Sequence, residues 1–151
     1  MQLFAALLAG ALSIAQPTDG LVTVPCAFQP AFFDIGTARF VESSMRAVEN
    51  GYLAHFEVFS PSSRAVVTLM GIATDGGSAR GNLRLARRRA EALRRFLIAR
   101  GVVAQRIRIV SNHPDLEGWP LSSTHGRAVV VDVRMPRADM LRLMPRDGPV
   151  C

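Results

Sequence analysis

The sequence predicts an α+β domain with α/β layering: a mixed sheet in the order β-α-β-α-β-β, with its helices packed on one face. Three observations predict it. Apolar runs at 65–72 and 128–135 have strand length and lie well apart in the chain. Between them, residues 74–101 hold an amphipathic helix of about 20 residues that stops at Gly101. A second helical stripe, Val41, Met45, Val48, Tyr52 and Phe56, recurs at spacings of four, three, four and four over 41–57.

Residues 3–15, LFAALLAGALSIA, are apolar but too short to span a bilayer. Ser13-Ile14-Ala15 places small residues where a signal peptidase reads, so 1–15 is expected to be a signal peptide cleaved before Gln16. Residues 16–30 contain three prolines and read as an irregular lead-in to a single domain over 31–135. An exported chain with two cysteines permits a disulfide between Cys26 and Cys151; two unrelated thiols are the alternative, and both stay open.

Ala31-Phe32-Phe33-Asp34-Ile35-Gly36 reads as a short first strand whose phenylalanines are core residues. Ser60-Pro61-Ser62-Ser63 separates the first helix from the second strand. On the central helix, Leu83, Ala86, Ala90, Leu93 and Leu97 form the expected core stripe, and Arg84, Arg88 and Arg95 face water. A third strand is read at Arg106–Val110, then a polar loop to Gly126, then a last strand from Ala128 to Met135. The tail 136–151 groups Met140, Leu141, Leu143 and Met144 and is expected to dock as a short helix.

The candidate site lies where the second strand meets the central helix. Asp75 ends the strand, and Asn82 and Arg89 stand two helical turns apart, about 10 Å, on one flank of the stripe. An acid, an amide and a guanidinium there suit a small zwitterion, with the acid taking an ammonium and the arginine fork a carboxylate. The plain readings are a turn-forming Asp75, a capping Asn82 and a solvated Arg89.

Apolar residues make up 49% of the chain, enough for a packed core, and the formal charge is +6 with every basic residue an arginine. That charge favours anionic partners: cell-wall polymer, acidic lipid or nucleic acid. Nucleic acid is disfavoured by a single Trp and a single Tyr for stacking. Gly71, Gly76, Gly77 and Gly81 form neither a P-loop nor a dinucleotide fingerprint. His55, His113 and His125 lack zinc-ligand spacing with the cysteines, and no nucleophile elbow is present. The expectation is a chain that is not an enzyme and needs no cofactor or metal.

Thr74-Asp75, the Gly76-Gly77-Ser78 turn, Asn82, Leu85, Arg88-Arg89-Ala90 and Gly101-Val102 occur in an order that resembles the peptidoglycan-binding domain at the C-terminus of outer-membrane protein A. The likeness runs over about residues 30–135. Ala86 stands in place of the usual Ser, and His125-Gly126-Arg127-Ala128 in place of Asn-Arg-Arg-Val. The resemblance implies an OmpA-like fold in the periplasm or cell envelope, with peptidoglycan and envelope proteins as partners. It also implies a ligand, the diaminopimelate-bearing stem peptide. Asp75 would meet its ammonium and Arg89 its carboxylate, Thr74 and Asn82 would position the turn, and Arg127 would reach in from the last strand. A scaffold that kept the fold but lost the ligand, and a polyanion-binding domain using the arginine-rich helix, are the alternatives.

Overall fold

The computed structural model describes residues 20–24, 29–110 and 125–143. The expected signal peptide at 1–15, Cys26, Cys151, His113, Trp119 and Met144 lie outside the described residues. In chain order the elements are β1 (Leu21–Thr23), β2 (Ala31–Phe32), α1 (Glu42–Ala54), β3 (Val66–Gly71), α2 (Ala79–Ala99), β4 (Ile107–Val110), β5 (Ala128–Pro136) and α3 (Arg137–Leu143).

The sheet runs β1-β5-β3-β4, and β2 also pairs with β5. β3 and β4 are parallel, with Leu69 opposite Ile109, and α2 is the crossover a parallel pair requires. β5 lies antiparallel to β3, with Leu69 opposite Val131. The other edge of β5 is shared by β1, with Leu21 opposite Pro136, and β2, with Ala31 opposite Val129. Alternation along β3 and β5 sends Val67, Leu69, Val129, Val133 and Met135 into one core with Ala90, Leu93 and Leu97 of α2 and Val48 of α1. The mixed sheet and helical layer agree with the α+β expectation.

Several boundaries differ from the sequence reading. The lead-in holds β1, because Leu21–Thr23 completes the β5 edge, and Val24 donates to the Val133 carbonyl at 2.8 Å. The first strand ends at Phe32, apart from an isolated bridge between Phe33 and Phe40. Asp34–Thr37 turns instead, with Gly36 at φ 67°, a left-handed conformation that glycine adopts freely. The α1 stripe rotates: Ser44 and Val48 are buried, while Phe56 is 56% exposed because a 3₁₀ turn (Phe56–Phe59) directs Val58 and Phe59 inward. The buried Ser44 hydroxyl accepts from the Phe32 amide at 2.6 Å, tying α1 to β2. α3 forms at the start of the tail, and the partly buried Met140 and Leu143 pack on the core.

β3 and α2 approach closely at one point. A Cβ on Gly71 would lie 2.1 Å from the Ala86 carbonyl oxygen, so only glycine permits this contact. Ala86 is small at the facing position for the same reason, and α2 can then carry residue 89 over the end of β3.

Candidate functional site

Ser78 caps α2, its hydroxyl accepting from the Gly81 amide at 3.1 Å, and Gly76 takes φ 83° in the turn before it. This turn brings Asp75 back against Arg89 of α2. The core stripe is Leu85, Ala86, Arg89, Ala90, Leu93 and Leu97, whereas Leu83 is 40% exposed. Arg89 thus sits within the buried face of the helix instead of on its flank.

Arg89 is 0% exposed, and each of its five N–H groups has an acceptor. Nε donates to the Thr37 carbonyl at 2.9 Å. Nη1 donates to the Ile72 carbonyl at 3.0 Å and to Asp75 Oδ1 at 2.9 Å. Nη2 donates to the Asp34 carbonyl at 3.2 Å and to Asp75 Oδ2 at 2.9 Å. The guanidinium carbon lies 5.7 Å from the Phe33 ring centroid. A charge buried this deeply is tolerated because it is paired bidentately and its remaining protons are capped.

The Asp75 side chain is 6% exposed. Its Oδ2 also accepts from the Gly36 amide at 2.6 Å, leaving Oδ1 with one lone-pair direction unused by these bonds. Burial opposes ionisation of Asp75. The Arg89 hydrogen bonds, the Gly36 amide and the charges of Arg89 and Arg127 outweigh it, holding the carboxyl below the usual aspartate range.

Arg127 lies in a 3₁₀ turn (His125–Arg127) that opens β5, and its charge acts on Asp75. Its Nε is buried without a hydrogen-bond partner among the described residues. Thr74 is held to this turn, its amide donating to the Gly126 carbonyl at 2.9 Å. A Cβ on Gly126 would lie 1.9 Å from the Thr74 hydroxyl oxygen, so the Thr74 side chain packs directly on the Gly126 backbone. Asp75, Arg89, Thr74 and Arg127 therefore converge where β3, α2 and β5 meet. Asn82 stays apart, its amide bonded to the Ser78 carbonyl and its Oδ1 facing Gly77.

The backbone of Asp34, Gly36 and Thr37, which closes over Arg89, escaped sequence reasoning. Only Gly36 carried a signal, since a glycine ending an apolar run marks a turn. Among the described residues no group of three His, Cys, Asp or Glu gathers to hold a metal ion.

The profile of the OmpA family matches residues 32–114, more than half of the chain and all of the site except Thr74's neighbour Gly126 and Arg127. The chain belongs to the OmpA family. Asp75, Asn82 and Arg88-Arg89-Ala90 lie within the matched residues. Among solved structures, this OmpA-family chain is similar to the C-terminal domain of MotB from Helicobacter pylori, at 19% identity and a TM-score of 0.57. That alignment covers 77% of this chain and 92% of the MotB domain. A second crystal form of the same domain gives 18% identity and a TM-score of 0.56 over the same shares. These likenesses support the shared fold. No curated protein sequence matches the chain.

Proposed function

We propose that this OmpA-family domain is a non-catalytic binder of peptidoglycan in the cell envelope, and that it recognises the zwitterionic end of a diaminopimelate-bearing stem peptide. The observation that carries the reading is the pairing of two unlike groups at one junction. Asp75 is kept ionised and retains an acceptor direction on Oδ1, and Arg127 beside it has a buried Nε without a partner among the described residues. An ammonium on Asp75 and a carboxylate on Arg127 satisfy both.

Arg89 then takes a different part from a direct clamp. Its five donors are taken by protein acceptors, so a ligand carboxylate would have to displace one of them. Its part is to hold Asp75 ionised and to fix the Asp34–Thr37 turn beside it. Thr74 sets the approach of the Gly126 turn, and Asn82 steadies the Gly77 turn. The saturation of Arg89 also favours a second reading, a scaffold that keeps the family fold without the ligand.

Calorimetry with soluble muropeptides separates the two. Three ligands are compared: the diaminopimelate muropeptide, the same molecule amidated at its diaminopimelate side-chain carboxylate, and the lysine analogue that lacks this carboxylate. The expected result is binding of the first and a tenfold to hundredfold loss for the other two, since one charge-assisted partner contributes about 1.5–3 kcal/mol. Arg127→Met should abolish the discrimination. No affinity for any of the three would establish the scaffold reading, and equal affinity for all three would remove the diaminopimelate carboxylate from recognition.

A further inference from the structure

α2 carries seven of the chain's 18 arginines and one of its 12 acids, a formal +6, so the remaining 11 arginines and 11 acids cancel. The whole net charge of the protein resides in one helix. A coding bias toward arginine would spread the excess through the chain, which is not what the sequence shows.

One of the seven, Arg89, is neutralised inside by Asp75. The others lie on the far side. At about 100° per residue, Arg80, Arg84, Arg87, Arg88 and Arg95 occupy roughly a third of the helix circumference, centred opposite Ala86, Ala90 and Leu93, with Arg94 at the margin. The five are exposed, and the row extends about 22 Å along the axis. Arg39, Arg64, Arg100, Arg134 and Arg142 all find acids, whereas Arg80, Arg84, Arg87, Arg88 and Arg95 make no ion pair or side-chain hydrogen bond among the described residues. Like charges four apart, as at Arg80, Arg84 and Arg88, disfavour a helix by themselves. Arg84, Arg87, Arg88 and Glu91 also line a surface hollow.

We infer that this arginine row docks the domain on the headgroup plane of an anionic phospholipid bilayer. A helix presenting a row of arginines on one outward arc can meet a plane along that row. Four to eight basic residues on one helix face are the signature of acidic-lipid attraction. The apolar face of α2 is used in the core, so the contact is electrostatic, without insertion. The exposed arc carries no aromatic side chain to stack a base, which disfavours single-stranded nucleic acid. Asp75 and Arg89 lie on the opposite side of the helix, so the row stays free whether or not the wall-binding reading holds.

The test is flotation of the full chain with vesicles of phosphatidylglycerol and phosphatidylethanolamine, beside vesicles of phosphatidylcholine, at 50 and 300 mM salt. Wild type should float with the anionic vesicles only, and less at high salt. Each arginine removed should weaken partitioning about fivefold. R84Q/R88Q/R95Q should then lose about a hundredfold, and R84K/R88K/R95K should retain binding. The control R46Q/R108Q/R137Q removes the same charge from exposed positions elsewhere and should float nearly as wild type does. Circular dichroism confirms that each variant folds. Equal losses in the two Gln triples, no flotation of wild type, or displacement from vesicles by duplex DNA at matched charge would each overturn the inference. Muropeptide affinity unchanged in R84Q/R88Q/R95Q keeps this outcome separate from that of the wall-binding reading.

Discussion

Arg89 is at once the most buried charge among the described residues and a bolt through four pieces of chain. Its guanidinium joins the carbonyls of Asp34, Thr37 and Ile72 to the carboxylate of Asp75. Removing one member of such a pair leaves an uncompensated buried charge. Arg89→Ala is expected to destabilise the fold by about 3–5 kcal/mol in urea unfolding. The double variant Asp75→Asn/Arg89→Met should lose less than the two single losses added together, because neither group is then left charged and alone. The pair also sets a pH dependence. The Asp75 pKa is lower folded than unfolded, so the native state binds fewer protons. Its contribution is complete above the unfolded value of about 3.9 and is lost as pH falls through the lowered folded value. The urea midpoint should therefore hold from pH 7 to 5 and fall below about pH 4, and Asp75→Asn should start lower and fall less steeply. Equal slopes in the two proteins would remove Asp75 from the acid transition.

At the scale of elements, α2 shows why some features were legible and others were not. Its length, its stop near Gly101 and the solvent face of Arg84, Arg88 and Arg95 follow from periodicity and glycine. The core assignment of Leu83 and the flank position of Arg89 did not follow, because a hydrophobicity pattern counts every arginine as outward. What turns Arg89 inward is a set of backbone carbonyls from a loop more than 50 residues away in sequence, and no local pattern records them. Asp75 was legible as an acid between strand and helix, although β3 ends at Gly71 and Asp75 sits in the turn that follows instead of at the strand end; Arg127 was legible as a basic residue opening the last strand. β1 was hidden because three residues with a proline nearby give no alternation to read. The contact between β3 and α2 yields a further test. Gly71→Ala pushes a methyl group into the Ala86 backbone, which cannot rotate away, and should cost about 1–3 kcal/mol or more in thermal unfolding. α3 hangs on Asp139, which is 5% exposed and accepts from Arg64 through its amide at 3.2 Å, Nε at 3.1 Å and Nη2 at 3.1 Å. Asp139→Ala should raise amide exchange in 137–143 and leave α2 protected. Unchanged exchange there would mean that Met140 and Leu143 hold the helix without the acid.

For the molecule as a whole, β5 is the hub of the sheet. It pairs with β3 on one side and with both β1 and β2 on the other. That arrangement has a kinetic meaning. The strand that β1, β2 and β3 all need is the last one in the described chain, so the first 110 residues emerge with their strands waiting. β3, α2 and β4 are neighbours in sequence and can associate early, whereas the pairing of Leu21 with Pro136 closes nearly the entire described length. Contacts of such long range slow folding. Refolding followed by hydrogen exchange should protect β3 and α2 before β1, and a chain cut after Val110 should fail to fold. A polypeptide built this way cannot close its sheet, whatever its earlier strands have begun to form, until β5 has been made.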